Sequence, residues 1–235
     1  MVKSELIKRS PLRILEKSIH GGVGNGNIGV VASRKGVGKT ACLVHIATDK
    51  LFQGKHVIHV SFSSRTDHII SWYEDIFREI AKKRELESAV EVHDELIKNR
   101  VIMNFNQEGV EPKQILSSLE AMIHNGNFAA ETIVVDGYDF LKTSAEGLTL
   151  VKDFANRMGI EVWFSASLSA EEPIFNDQGI PRELEHVIDV VDVLITLRYI
   201  EDYVHLELAK DHGEIRTQDL HLKLDPKTLL IAEET

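Results

Sequence analysis

Two hydrophobic patterns alternate along most of the chain. Short runs of consecutive apolar residues, many of them β-branched, predict buried strands, because a strand covered by helices on both faces is apolar at nearly every position. Such strands are predicted at Ile28–Ala32, Val57–Phe62, Val101–Phe105, Thr132–Val135, Glu161–Ala166 and Val193–Arg198.

Segments with a helical period lie between these strands. Their apolar residues recur every three or four positions, as at Leu148, Val151 and Phe154, which places them on one face of a helix. Helices are predicted at Lys39–Leu51, Thr66–Arg84, Pro112–Asn125, Glu146–Met158 and Pro181–Val190, and the charged stretch Glu87–Asn99 predicts a short exposed helix. This alternation predicts an α/β fold, with a mostly parallel central sheet flanked by helices on both faces.

The pattern changes from Tyr203 onward. Short strands separated by turn residues are predicted at Tyr203–Ala209, Leu220–Leu224 and Leu229–Ala232. Their close spacing predicts an antiparallel edge at the C-terminal side of the sheet. Because no linker composition interrupts the chain, we predict a single domain over residues 1–235.

Composition narrows the classes of partner. The 235 residues are 43% hydrophobic and carry a formal net charge of −10, so their long-range field does not favour nucleic acid or anionic lipid. Cys42 is the single cysteine, so an intramolecular disulfide is impossible and a reducing, cytoplasmic compartment is predicted. Residues 1–10 lack the apolar core of a signal peptide, and no apolar run approaches the ~20 residues that span a bilayer.

The segment at residues 33–40 reads Ser-Arg-Lys-Gly-Val-Gly-Lys-Thr and joins a predicted strand to a predicted helix. Glycines at 36 and 38 allow the backbone N–H groups to turn inward, and the helix N-terminus adds partial positive charge. This order predicts a phosphate-binding loop of the Walker A type for Mg-ATP. Its predicted binding residues are Ser33, Arg34, Lys35, Gly36, Val37, Gly38, Lys39, Thr40 and Ala41.

Two side chains of this loop have predicted roles in binding the nucleotide and its metal ion. Lys39 can reach the β- and γ-phosphates of the nucleotide, and the Thr40 hydroxyl can ligate Mg²⁺. Asp136 directly follows the buried strand Thr132–Val135 and is predicted to hold the hydration shell of the same metal ion. The alternative for Asp136 is a turn-capping role, since Gly137 follows it. Ser33 departs from the usual pattern, which has a glycine at that position.

In order and spacing, the chain resembles a single domain of the KaiC, RadA and DnaB branch of the RecA-like P-loop ATPases. Beside the phosphate loop, the resemblance is carried by Ser10–Gly29, Gly54–Phe62, Ile133–Leu141, Leu150–Leu168 and Val190–Gly213. It implies a RecA-like fold, in which residues 1–27 form a leader segment that packs on the core. It also implies ATP and Mg²⁺ as ligands and a homo-oligomer, either a ring or a dimer.

The chain departs from this family at two places that matter for catalysis. Ser63 or Ser64 stands where the family has the glutamate that orients the attacking water. Lys210 matches the lysine of a Lys-x-Arg element that acts across a subunit interface, but His212 replaces its arginine. A serine does not polarise water as a carboxylate does, and a neutral histidine lacks the guanidinium fork. We therefore expect ATP to be bound but hydrolysed slowly or not at all, serving as a regulatory or assembly ligand.

Other classes of protein stay open. In the MinD and ParA group of dimeric ATPases a loop lysine enters the partner's site, and Arg34 and Lys35 lie close to that place. A non-catalytic interaction protein with a vestigial nucleotide pocket is a further alternative. A DNA-acting recombinase or helicase is disfavoured, because the segment Ser169–Pro181 is acidic and has no lysine or arginine.

Overall fold

The computed structural model describes residues 2–62, 67–106, 112–169, 172 and 174–234. Within these residues the strands form one sheet in the order β3-β2-β4-β5-β1-β6-β7-β8-β9. The strands are β1 Ile28–Arg34, β2 His56–Ser61, β3 Arg100–Asn104, β4 Ala130–Asp136, β5 Glu161–Leu168, β6 Val193–Ile200, β7 Tyr203–Asp211, β8 Glu214–Leu224 and β9 Ile231–Glu233.

The sheet has a parallel part and an antiparallel part. Strands β1 to β6 pair in parallel, whereas β6–β7, β7–β8 and β8–β9 pair antiparallel. The predicted α/β fold with a mostly parallel sheet and a C-terminal antiparallel edge is confirmed. Strand β8 begins at Glu214, earlier than predicted. The first residues were missed because most of them are polar and exposed, and they show no alternating apolar pattern.

Helices cover both faces of the sheet. They are α1 Lys3–Lys8, α2 Leu12–Ser18, α3 Lys39–Phe52, α4 Asp67–Lys83, α5 Ala89–Lys98, α6 Pro112–His124 and α7 Ala145–Met158. The first five contribute to one hydrophobic core, and α6 and α7 contribute to a second core on the other face. Helix α5 is not simply exposed as predicted, since it buries Val92 and Leu96.

The helix predicted at Pro181–Val190 is wrong in type. The structure has a 3-10 helix at Arg182–Val187, with a backbone hydrogen bond of 2.9 Å from the Leu184 N–H to the Pro181 carbonyl. Its buried residues Leu184 and Val187 are three positions apart. A 3-10 helix has three residues per turn, so it turns both side chains toward the core.

Two short helices that the hydrophobic pattern did not predict lie in the leader segment. Leu6 of α1, Leu12 and Leu15 of α2, and then Ile19 and Val23, are all buried in the same core as α3. The leader therefore contacts the helix that follows the loop at residues 33–40. Among the described residues, no helix combines the length and the apolar character needed to cross a membrane.

Candidate phosphate-binding site

The loop at residues 33–40 begins at the end of strand β1, which lies in the middle of the sheet between β5 and β6. Gly36 and Gly38 have φ angles of 83° and 127°, which residues with a Cβ rarely adopt. Helix α3 begins at Lys39 and is buried from Ala41 to its end, so it holds the loop firmly against the core. The loop thus has the strand–loop–helix geometry that its sequence predicted.

Strand β8 limits the room on one side of the loop. A Cβ added to Gly38 would lie 2.5 Å from Leu224 Cδ2, whereas a Cβ added to Gly36 would meet no atom within 4 Å. The loop is therefore packed against the antiparallel edge at Gly38 and open at Gly36. An anion approaching the loop backbone has access from the open side.

The Lys39 ammonium group folds back over its own loop. Its Nζ atom donates to the carbonyl oxygens of Ser33 and Arg34, at 3.1 and 3.0 Å. Lys39 is only 7% exposed, and this burial lowers its pKa, while the nearby Asp136 carboxylate acts in the opposite direction. The chain thus keeps a cation beside the loop, and a bound phosphate would compete for it with two backbone carbonyls.

Thr40 and Asp136 meet beside this cation. The Thr40 hydroxyl donates to Asp136 Oδ2 at 2.9 Å, and Ser165 Oγ donates to Asp136 Oδ1 at 2.6 Å. The Gly137 N–H in turn donates to Ser165 Oγ at 2.9 Å. Both carboxylate oxygens are therefore held in place, at the point where β4 ends.

Ser165 was not singled out by the sequence. It lies on β5, the strand between β1 and β4, in register with Val31. A lone serine in a buried strand forms no motif; only the strand order shows that it bridges the loop strand to the strand of Asp136.

These groups fit a magnesium-bound triphosphate. Hydroxyl and carboxylate oxygens are the ligands that Mg²⁺ takes, usually together with water, so Thr40 and Asp136 would hold that ion. The loop amides, the start of α3 and the Lys39 ammonium supply positive potential for the phosphates. Bound Mg²⁺ would contribute neutralisation of phosphate charge.

The predicted catalytic positions Ser63 and Ser64 lie outside the described residues. Two carboxylates lie near these serines or near Asp136 along the chain and could substitute for the missing glutamate. Both are paired with other groups. Asp139 accepts from the Leu141 N–H at 3.2 Å and pairs with Lys142 at 3.0 Å, and Glu74 pairs with His93 at 2.6 Å. Neither of them contacts Asp136 or Thr40.

A further carboxylate approaches the loop from the segment after β5. Glu172 forms an exposed ion pair with Arg34, one of the predicted binding residues. This contact offsets the charge of Arg34 and links Glu172 to the phosphate loop. The neighbouring Lys35 is exposed and makes no ion pair or hydrogen bond with any residue in the described part of the chain.

Lys210 lies on β7, two strands away from β1 in the sheet, and His212 follows the end of β7. Lys210 pairs with Leu194, and Leu194 pairs with Val30, so Lys210 is level with the third residue of β1. Arg34 is four positions beyond Val30 along the strand, a distance of about 13 Å. Lys210 and His212 therefore do not reach the loop of their own chain.

Both side chains are engaged within the subunit. Lys210 Nζ donates to the Ile188 carbonyl at 2.6 Å. His212 Nδ1 lies 2.6 Å from Asp211 Oδ1, and its Nε2 lies 3.0 Å from the Val23 carbonyl. Their action on a neighbouring subunit stays a prediction, and it would require Lys210 to leave the Ile188 carbonyl.

A second set of metal-ligating groups lies on the antiparallel edge. Asp219, His221 and Glu234 place one ligand atom each within 4.8 Å of one another, and His221 has a φ of 52°. Asp219 and His221 are exposed. This set belongs to β8 and the end of β9 and is separate from the Thr40–Asp136 pair.

The chain matches no protein-family model, and no curated protein matches it. The geometry of the loop and of the residues around it is therefore the basis for a functional proposal.

Proposed function

We propose that the chain binds the phosphates of ATP, together with Mg²⁺, through residues 33–41. The observation that carries the proposal is the contact between Thr40 and Asp136, 2.9 Å long, beside the buried Lys39 ammonium. It brings a metal-binding oxygen pair to the first turn of a helix that follows a glycine loop. That combination is suited to a phosphate group with its magnesium ion.

The position of the site in the sheet supports the same proposal. Ligands of open parallel sheets bind beyond the carboxyl ends of the strands, and both β1 and β4 end at this site. We propose further that the fold is RecA-like, of the KaiC, RadA and DnaB branch. The mostly parallel sheet with an antiparallel edge and the leader packed beside α3 are consistent with it.

We propose that the nucleotide is turned over slowly and serves as a regulatory or assembly ligand. Asp139 and Glu74 are both paired away from the Thr40–Asp136 contact. Serines at 63 and 64 in place of a glutamate remove the group that would activate water, which typically costs ~10²–10⁴ in rate.

A homo-oligomer is part of the proposal, and two residues distinguish its geometries. A RecA-like ring needs Lys210 in the partner's site, whereas a MinD- or ParA-like dimer needs Arg34 or Lys35. The exposure of Lys35 beside the loop, with no partner in the described residues, is the observation that keeps the dimer as a second candidate.

Isothermal titration with ATP, ADP and a non-hydrolysable analogue, in Mg²⁺ and in EDTA, tests the proposal. We expect saturable binding that Lys39→Ala weakens by about tenfold or more, because a charge-assisted hydrogen bond contributes ~1.5–3 kcal/mol. Lys98→Ala, an equal change of charge on the exposed side of α5, is the matched control. If wild-type chain takes up no nucleotide, or if Lys39→Ala binds it equally well, the proposal is wrong.

The slow-turnover part has its own measurement. Steady-state phosphate release from saturating Mg-ATP should lie far below the ~10 s⁻¹ that is typical of enzymes. A rate near that value that is abolished by Lys39→Ala would contradict slow turnover while leaving nucleotide binding intact.

A further inference from the structure

A cavity of about 480 Å³ lies on the leader side of α3. The leader, the second half of α3, the end of α4 and strand β9 enclose it. Its apolar lining includes Leu6, Phe52, Ile80 and Leu230, and its basic groups are Arg9, Lys83 and Arg84. His45, the α3 lining residue nearest to the loop, is five residues beyond Thr40, about 7.5 Å along the helix axis. Because no residue of 33–41 lines the cavity, it is distinct from the phosphate loop.

The basic groups of the cavity are poorly neutralised. The Lys83 ammonium group has no ion pair or hydrogen bond with any described residue, and the Arg9 guanidinium has among them only a 3.9 Å ion pair with Glu5. The acidic lining residue Asp49 is already paired, with Arg13 and with Gln53 at 2.7 Å. Glu233 is the other acidic group of the lining, so positive charge exceeds negative charge there.

The position of Lys83 and Arg84 at the end of α4 has a simpler explanation. Basic side chains in the last turn of a helix interact favourably with its dipole. Arg9, the C-cap residue of the short helix α1, has the same explanation, but helix dipoles do not account for the convergence of basic groups from two segments on one cavity. Arg84 Nη2 also contacts the Arg9 carbonyl at 3.4 Å, so the two segments are held together.

His45 supplies a neutral hydrogen-bond donor to the cavity. Its Nδ1 atom accepts the Ile231 N–H at 2.9 Å, which leaves the proton of the neutral ring on Nε2. Burial lowers the pKa of His45 to about 4, so the ring is uncharged at neutral pH. Within the described residues, Nε2 has no hydrogen-bond partner, and His45 lines the cavity.

We propose that this cavity binds a small amphipathic anion, a carboxylate or a phosphate monoester with an apolar body. The apolar body would contact Leu6, Phe52, Ile80 and Leu230. The anionic group would lie near Lys83 and Arg9, and an acceptor on the ligand would receive the His45 Nε2–H. The volume is within the range of small-molecule sites, ~300–1,000 Å³.

Four probes with the same ten-carbon chain test the chemistry of the head group. Decanoate, decyl phosphate, decanol and decylamine are titrated separately into the full chain and followed by calorimetry and by the ¹⁵N signals of labelled histidine. We expect saturable binding of one or both anions, at least about tenfold weaker binding of decanol, and none of decylamine. The preference between the two anions identifies the head group.

Two adjacent lysines of α4 provide the matched variants. Lys83→Ala should weaken anion binding by about threefold to tenfold, whereas Lys82→Ala, the same change at a residue that does not line the cavity, should not. Repeating the decyl phosphate titration with Lys39→Ala identifies any uptake by the phosphate loop. Equal binding of all four probes, no binding of either anion, or equal effects of the two lysine changes would overturn the proposal.

Discussion

Thr40 donates a hydrogen bond of 2.9 Å to Asp136, a residue 96 positions away along the chain. The two residues lie at the start of α3 and at the end of β4, and strand β5 lies between β4 and the loop strand β1. The contact therefore depends on the assembled sheet, and it joins a hydroxyl and a carboxylate into one candidate metal site.

Replacement of Thr40 tests the metal half of this site. Thr40→Val keeps the size of the side chain and removes the oxygen, so we expect the Mg²⁺-dependent part of the ATP affinity to fall by about tenfold or more. Thr40→Ser keeps the oxygen and should bind almost as wild type. Calorimetry with and without EDTA measures the difference, and an unchanged Mg²⁺ dependence in Thr40→Val would exclude this residue as a ligand.

Ser165 should act through Asp136. Ser165→Ala removes the donor to Asp136 and the acceptor of the Gly137 N–H, so we expect a lower free energy of unfolding, by about 1–3 kcal/mol. Ser167→Ala, on an exposed residue of the same strand, is the matched control for stability.

The magnesium dependence of ATP binding shows whether Ser165 orients the Asp136 carboxylate or only packs in the core. If the serine orients the carboxylate, the magnesium concentration needed for half-maximal ATP binding should rise in Ser165→Ala. A loss of stability with an unchanged magnesium requirement would show that Ser165 only packs.

Local patterns were enough to predict the loop and the strand that carries Asp136. Each depends on consecutive residues: the glycines and Lys39 for the loop, and the apolar run before Asp136 for the strand. The same holds for the strands of the parallel part, which are runs of consecutive apolar residues, and for the long helices α3, α4, α6 and α7, whose apolar residues recur with a helical period.

Features that depend on strand order or tertiary packing were not predictable. Ser165 becomes part of the site only because β5 lies between β1 and β4. The leader helices are six and seven residues long, too short to be stable alone, and their apolar residues are fixed by packing against α3. The 3-10 helix at Arg182–Val187 was mistaken for an α-helix because both types repeat within three to four residues.

The two loop glycines should differ in their tolerance of a side chain. Gly36→Ala introduces only the backbone strain of a positive φ, which costs about 1–2 kcal/mol. Gly38→Ala introduces the same kind of strain and also a close contact with Leu224 Cδ2. We therefore expect Gly38→Ala to lower the free energy of unfolding more than Gly36→Ala. Denaturant unfolding of both variants measures this, and equal losses would contradict the close packing of β8 against the loop.

His45 makes the stability of the chain depend on pH. Burial depresses its pKa from the ordinary 6.5 to about 4, so the folded state binds this proton less readily than the unfolded state. The stabilisation is complete above pH 6.5 and is lost as the pH falls toward 4, by about 3 kcal/mol in total. Unfolding by urea between pH 7.5 and 4.5 should show this loss.

The variant His45→Gln isolates the contribution of this residue to the pH dependence. Glutamine can still accept the Ile231 N–H but does not titrate. Its free energy of unfolding should therefore fall less steeply below pH 6.5 than that of the wild type. Parallel curves for the two proteins would show that His45 is not the source.

Replacement of Lys210 distinguishes a structural role in its own subunit from a catalytic role in a neighbouring subunit. Lys210→Met removes the donor to the Ile188 carbonyl, so we expect a loss of stability of about 1–3 kcal/mol. ATP affinity should not change, because Lys210 is level with Val30, four strand positions before Arg34. In a RecA-like ring, ATP hydrolysis should fall in Lys210→Met and recover when this variant is mixed with Lys39→Ala, whose intact Lys210 enters the partner's site. A reduced ATP affinity of monomeric Lys210→Met would contradict the position of Lys210. If the mixture of the two variants does not recover ATP hydrolysis, the dimer that uses Arg34 or Lys35 is favoured.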